Sequence, residues 1–317
     1  MSDDRTVAPP GPAAPIRTPG AAAAAPDGAG VGVAYGLASY LWWGGVAVYF
    51  KAVASVPPLE VLAHRVVWSV LLLGGLLAMR GQVAVAVRAM ADRRTQLTLL
   101  GTTALIAVNW LVFIYAVGSG RIMQASLGYF INPLVNVVLG FVFLRERLRP
   151  WQVVSVALAA AGVCWNVYHV GHLPWIALTL AFTFGFYGLL RKIVRIDALA
   201  GLAVETTMLA PLAVGYVGYL MFAGRSTFGG QSWAMDLLLI AAGPVTALPL
   251  LWFTNAARRV RMMTLGFMQY LAPTGQFLLA TLVYRETMRP GLAGCFALIW
   301  AGLIIYTADA WRASRVR

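Results

Sequence analysis

The chain is 317 residues long, 60% hydrophobic and only 11% charged, with a mean hydropathy of +0.76. A soluble domain is about half apolar and about a quarter charged, so a water-facing surface is excluded for a chain of this length and a bilayer is the solvent that fits. The excess of 24 Lys and Arg over 11 Asp and Glu lies between long apolar runs, which assigns it to membrane topology and anionic headgroups and argues against a nucleic-acid partner.

Residues 1–30 are rich in Ala, Pro and Gly, carry Asp3, Asp4 and Asp27, and read as a disordered tail rather than a signal peptide. From Val31 the chain repeats one theme, an apolar run of bilayer-spanning length followed by a short basic or Gly/Pro break. The runs are 31–50, 59–79, 97–117, 122–144, 150–168, 174–190, 199–222, 236–254, 262–284 and 290–308. They are continuous rather than alternating, so each is expected to be a transmembrane helix and not a barrel strand. With a cytoplasmic N-terminus, 18 of the 24 basic residues fall in inside segments and 5 outside, which places both termini in the cytoplasm. The two lysines, Lys51 and Lys192, sit in no Gly-rich phosphate loop, so a Walker-type ATPase is excluded. Cys164 and Cys295 lie inside apolar runs and read as small fillers, with no disulfide framework, metal site or cofactor implied.

Residues 121–150 align with 261–290 without gaps at an offset of 140. Arg121/Arg261, Met123/Met263, Pro133/Pro273 and Leu139/Leu279 are identical, and Arg-Glu-x-x-Arg-Pro closes both copies at 145–150 and 285–290. The register persists to Ala161-Gly162 and Ala301-Gly302, and Gly44 and Lys51 meet Gly185 and Lys192 at an offset of 141. The repeating unit holds five helices. An odd number brings the second copy in from the opposite side, so the expectation is an all-α integral membrane fold with ten transmembrane helices in two inverted repeats. Residues 31–170 form the first, 171–311 the second, and 312–317 a cytoplasmic tail.

Polar residues inside apolar runs are the candidate functional groups. Tyr129, Asn132 and Asn136 share one face of the fourth helix, and Gln269 and Gln276 occupy matching places in the ninth. Pro133 and Pro273 interrupt the hydrogen-bond ladder nearby. A lipid-facing amide is costly, so this face is expected to turn inward, either as substrate wall or as glue between helices. Tyr40 and Trp43 form an aromatic stripe on the first helix, and Asn109 lies near the middle of the third. Arg65 and Glu205 are charges inside spans and align at the offset of 140. Each lies about 9 Å from its helix end at 1.5 Å per residue, Arg65 from the outer face and Glu205 from the inner. They are expected at opposite gates rather than as one salt bridge. Glu60 and His64, one helical turn apart, could relay a proton. Small residues at Ala157 and Ala161, and at Ala293, Ala297 and Ala301, are expected to pack the fifth helix against the tenth.

Gly36-Leu-Ala-Ser-Tyr-Leu-Trp-Trp-Gly44, Tyr49-Phe-Lys51 and Leu59-Glu-Val-Leu-Ala-His-Arg65 with Trp68-Ser69 resemble the RarD-type proteins of the EamA family, in the drug/metabolite transporter superfamily. The two Arg-Glu-x-x-Arg-Pro…Ala-Gly endings resemble the closing motif of EamA repeats. The resemblance covers about residues 31–308 and implies export or uptake of small molecules across the bacterial cytoplasmic membrane. The expected function is therefore secondary transport by alternating access, with a small-molecule substrate and the lipid bilayer as partners, as a monomer or a homodimer. The alternative is a membrane-embedded enzyme or sensor without transport. No span carries HExxH, GxSxG or paired catalytic aspartates, so an enzyme is not expected.

Overall fold

With no water to bond, a chain segment in hydrocarbon satisfies its backbone internally. All the elements of the computed structural model, which describes residues 29–145, 147–194, 196, 198–257, 259–260 and 268–315, are accordingly helical. They are α1 (Ala29–Ala52), α2 (Pro58–Met79), α3 (Val83–Ala91), α4 (Arg93–Gly118), α5 (Ile122–Leu144) and α6 (Pro150–Val170). Then follow α7 (Trp175–Ile193), α8 (Ala198–Phe222), α9 (Trp233–Ala257), α10 (Leu271–Leu278), a π-helical turn (Leu279–Val283) and α11 (Pro290–Arg315). Among the described residues eight helices are long and apolar enough to cross a membrane, and Trp175–Arg191 and Leu271–Val283 are shorter apolar helices. The chain is an all-helical, multi-pass membrane protein.

Helix ends follow the local sequence. Proline, which cannot donate to a preceding carbonyl, opens α2, α6 and α11. Asp92 caps α4 by accepting from the Thr95 amide at 2.9 Å. Arg145 and Arg285 both adopt the left-handed conformation, with φ of 54° and 51°. They are the first residues of the two Arg-Glu-x-x-Arg-Pro motifs, so the same backbone turn ends both copies. Two boundaries differ from the sequence reading. The break after the second run contains α3, a short helix with Val83, Val85, Val87 and Met90 exposed. The last helix continues to Arg315 rather than stopping near 308. Residues 1–28, and residues 262–267 of the ninth run, lie outside the described residues.

Contacts sort the turns onto two faces. On one, the α8–α9 loop meets the start of α2 and Lys51 lies over the Tyr284 ring at 5.7 Å. On the same face the α4–α5, α6–α7 and α10–α11 turns surround a cleft of about 340 Å³. On the other face Arg149 at the start of α6 pairs with Asp309 near the end of α11 at 2.7 Å, and Gly32 of α1 lies against Arg259 beyond α9.

Eight packing pairs organise the interior: α1 with α9 and α10, α7 with α4 and α5, α2 with α8 and α9, α5 with α10, and α6 with α11. Glycine sets the closest approaches. Gly44 abuts the Leu271 and Ala272 carbonyls and Gly275, while Gly185 abuts Val135 and Asn136. The α6–α11 seam is built on Ser155, Ala159, Gly162 and Asn166 against Cys295, Ile299 and Gly302. This corrects the expected stripe. The helix pair is as expected, but Ala157, Ala161 and Ala297 are exposed, because Gly162 and Gly302 permit the backbones to touch and turn the neighbouring alanines outward. Cys164 likewise lies exposed, whereas Cys295 is buried.

Candidate functional site

Two charges sit within the bundle, one from each face. Arg65 is seven residues into α2, about 10 Å deep at 1.5 Å per residue, and Glu205 is equally far into α8 from the opposite face. Their surroundings differ. Arg65 stacks on Trp110 with 4.0 Å from Cζ to the ring centroid, and Phe50 lies 5.6 Å away. Its Nε has no hydrogen-bond partner, and Arg65 makes no ion pair or hydrogen bond among the described residues, yet the residue is only partly buried. An arginine at mid-helix in a membrane costs about 2.5–3.5 kcal/mol on insertion scales. A cation–π contact returns roughly 0.5–2 kcal/mol, so the two rings offset much of that cost without consuming the guanidinium donors.

Glu205 is fully buried and fully engaged. It accepts from the Thr102 hydroxyl at 2.7 Å and the Tyr187 hydroxyl at 3.1 Å, with Arg191 Nη1 at 3.9 Å. Arg191 reaches it across Gly201, where any side chain would run into the guanidinium. Three helices, α4, α7 and α8, are thus tied at one carboxylate.

An aromatic column connects the two charges. Phe50 touches Phe113 at 5.6 Å, Phe113 touches Tyr129 at 5.9 Å, Tyr129 touches Phe184 at 6.2 Å, and Phe184 touches Tyr187 at 6.0 Å. Tyr187 then bonds Glu205. The rings alternate among α1, α4, α5 and α7, so no single helix carries the column.

The other sequence candidates are dispersed. Asn109 is buried and donates to the Leu180 carbonyl at 3.0 Å and Thr183 at 2.9 Å, binding α4 to α7, while it accepts from Tyr129 at 3.4 Å. Asn132 and Gln276 are both buried, each with a carbonyl oxygen lacking a partner, and Gln276 donates to the Trp43 carbonyl at 3.1 Å. Asn136 is exposed and Gln269 half-buried. Pro133 lies inside α5 and Pro273 inside α10, where the Pro273 carbonyl accepts from Ser126 at 2.8 Å. Tyr40 and Trp43 join Phe253 in an aromatic triangle that packs α1 on α9.

Glu60 and His64 belong to the docking site of the α8–α9 loop rather than to Arg65. Glu60 accepts from the Thr227 amide at 2.6 Å and its hydroxyl at 2.9 Å, and the His64 ring lies on Phe228 at 5.0 Å with neither nitrogen partnered. Glu286, from the second Arg-Glu-x-x-Arg-Pro motif, accepts from the amides of Ile122 and Met123 at 2.7 and 2.9 Å and so caps α5. Sequence reasoning did not single out Phe50, Thr102, Phe113, Phe184, Tyr187 or Arg191. In a chain with 12% aromatic residues, rings on four different helices carry no linear signal.

Charged and aromatic groups enclosed by apolar spanning helices mark a helical membrane protein that carries charges inside its bundle. Residues 30–168 match the model of the EamA-like transporter family. An uncharacterized transporter of Vibrio cholerae is 44% identical over 89% of this chain and 93% of its own length. The protein RarD of Escherichia coli is 44% identical over 88% of this chain and 94% of its own. A solved crystal structure with 20% identity superimposes with a TM-score of 0.54, over 90% of this chain and 99% of that one, and shares its fold. The chain belongs to the EamA family as a RarD-type member, with relatives in bacteria whose names point to a transporter rather than an enzyme.

Proposed function

We propose that this protein is a secondary transporter of small molecules that works by alternating access between two inverted five-helix repeats, residues 31–170 and 171–311. The observation that carries the reading is the aromatic column joining Arg65, which has no ion-pair partner among the described residues, to a fully bonded Glu205 through the bundle. A structural core has no use for a cation without a partner in hydrocarbon, whereas a permeation path does. The Glu205 cluster ties one end of the path shut, and Arg65 waits near the other.

The packing supports ten spans in inverted halves. At the repeat offset, α1 corresponds to α7, α2 to α8, α4 to α9, α5 to the α10 segment and α6 to α11. The contacts of α1 with α9 and α10 then correspond to those of α7 with α4 and α5, and the α2–α8, α5–α10 and α6–α11 contacts correspond to themselves. Gly44 and Gly185 occupy equivalent close approaches. Inverted repeats change access by exchanging the conformations of their halves, so Arg65 and Glu205, equivalent positions, act at opposite ends. The basic residues support both termini on the cytoplasmic side of the inner membrane.

The test is flux. Purified protein reconstituted into proteoliposomes should accumulate at least one solute from a radiolabelled metabolite and drug panel, above protein-free liposomes. Absence of flux across the panel under imposed proton, sodium and potassium gradients would count against transport.

A further inference from the structure

Among the described residues no carboxylate pairs with Arg65. Six of the chain's Asp and Glu residues are described, and each is committed elsewhere. Glu60 holds Thr227, Asp92 holds Thr95, Glu205 holds Thr102 and Tyr187, Asp236 holds the Gly229 amide, Glu286 holds Ile122 and Met123, and Asp309 pairs with Arg149. The guanidinium offers five N–H donors in a planar fork that matches a carboxylate, and Arg65 as a residue is only partly buried.

We propose that Arg65, stacked on Trp110 beside Phe50, is the recognition site for a small amphipathic organic anion, a carboxylate carried on an apolar or aromatic body. That this anion is cargo rests on the transport reading above. The charge of Arg65 repels cations. A bare phosphate or sulfate would lose its hydration against the rings and recover little. A carboxylate takes the fork while its apolar body covers the ring faces, the usual division between a few polar contacts and an apolar wall in a ligand site. Phe50 continues through Phe113 and Tyr129 into the aromatic column towards Phe184, so a bound body would lie at the start of the path.

The experiment uses the full chain in phosphatidylcholine nanodiscs with naphthalene-2-carboxylate and its neutral analogue naphthalene-2-carboxamide, followed by equilibrium binding. The carboxylate should bind about tenfold or more tighter than the amide at neutral pH, as expected for a charge-assisted bidentate pair. Arg65→Gln should abolish that preference, Arg65→Lys should keep the charge but lose at least about threefold with the fork, and Arg225→Gln, at an exposed arginine, should leave it unchanged. Equal binding of acid and amide overturns the proposal, as does a preference undiminished in Arg65→Gln. Should Arg65→Gln fail to fold, a wild-type preference in Arg65→Lys overturns it. Arg65-dependent displacement of the probe by phosphatidylglycerol in the nanodiscs assigns the site to lipid headgroups and also overturns it. Selective binding without any proteoliposome flux defeats the transport reading alone, and flux indifferent to solute charge without selective binding defeats the site alone.

Discussion

Glu205 and Arg65, which align at the sequence offset of 140, sit in two different chemical states. A buried carboxylate with three partners is held in place, and removing its charge weakens the clasp without emptying the site. Glu205→Gln keeps an oxygen for Thr102 or Tyr187 but loses the attraction of Arg191. We expect this variant to insert and purify normally while its flux falls about tenfold, about 1.4 kcal/mol of coupling. Wild-type flux would remove Glu205 from the gating scheme. Glu286 has a structural task. With its carboxylate gone, two amides at the start of α5 lose their acceptor, so Glu286→Ala should lower stability by about 1–2 kcal/mol and Glu286→Gln by less. Thermal unfolding in detergent measures both, and an unchanged midpoint for the alanine variant would contradict the cap. Outside the spans, hydrogen bonding from the Thr95 side chain, aided by its amide, holds the Asp92 carboxyl below its usual range. A depressed carboxyl stabilises above its unfolded value and loses that contribution as pH falls through the folded value. Protection of the Thr95 amide against hydrogen exchange should therefore persist down to about pH 4, near the unperturbed carboxyl value, and fall below it. Asp92→Asn should flatten this dependence.

Among the elements, α6 and α11 form the seam where small residues matter most. A Cβ at Gly302 would lie 2.9 Å from the Ser155 carbonyl oxygen, and one at Gly162 would lie 3.1 Å from that of Cys295, so backbone has to move to admit a methyl group. Gly75 of α2 has nothing within 4 Å of the same position. Opposite signs are therefore expected. Gly302→Ala should destabilise by about 1–3 kcal/mol through overpacking, and Gly75→Ala should stabilise by about 0.5–1 kcal/mol through reduced chain entropy. Equal shifts in unfolding midpoint would refute the seam. The π-helical turn Leu279–Val283 has a separate consequence. Its wide turn lets the Glu286 amide donate back to the Ala280 carbonyl at 2.8 Å, while the Glu286 side chain reaches α5. A backbone irregularity after α10 thus places a capping group on α5.

At the scale of the whole molecule, the two-faced sorting of turns makes sidedness testable. The segment 81–96, with α3, and the α8–α9 loop belong to opposite faces in the proposed arrangement, and the basic residues put the first inside. In a background lacking Cys164 and Cys295, Gln231→Cys should react with an impermeant maleimide in intact cells. Ala84→Cys should react only after permeabilisation. Labelling of both from outside would sink the topology.

The linear sequence determined the solvent and the helical class and displayed an internal match, because these depend on quantities summed along the chain: apolar run length, charge in the breaks and a constant offset of 140 between matching residues. It also marked Arg65 and Glu205, since a charge within an apolar run is visible one residue at a time. It missed α3, whose short exposed apolar face falls below spanning length, and it shifted the α6–α11 stripe onto alanines where glycines make the contact. Only the tertiary structure decided that Glu205 is satisfied and Arg65 is not, because the answer depends on which side chains from α1, α4, α5 and α7 meet these charges. The column from Phe50 to Tyr187 exists for the same reason, as a product of packing between helices that are far apart in the chain.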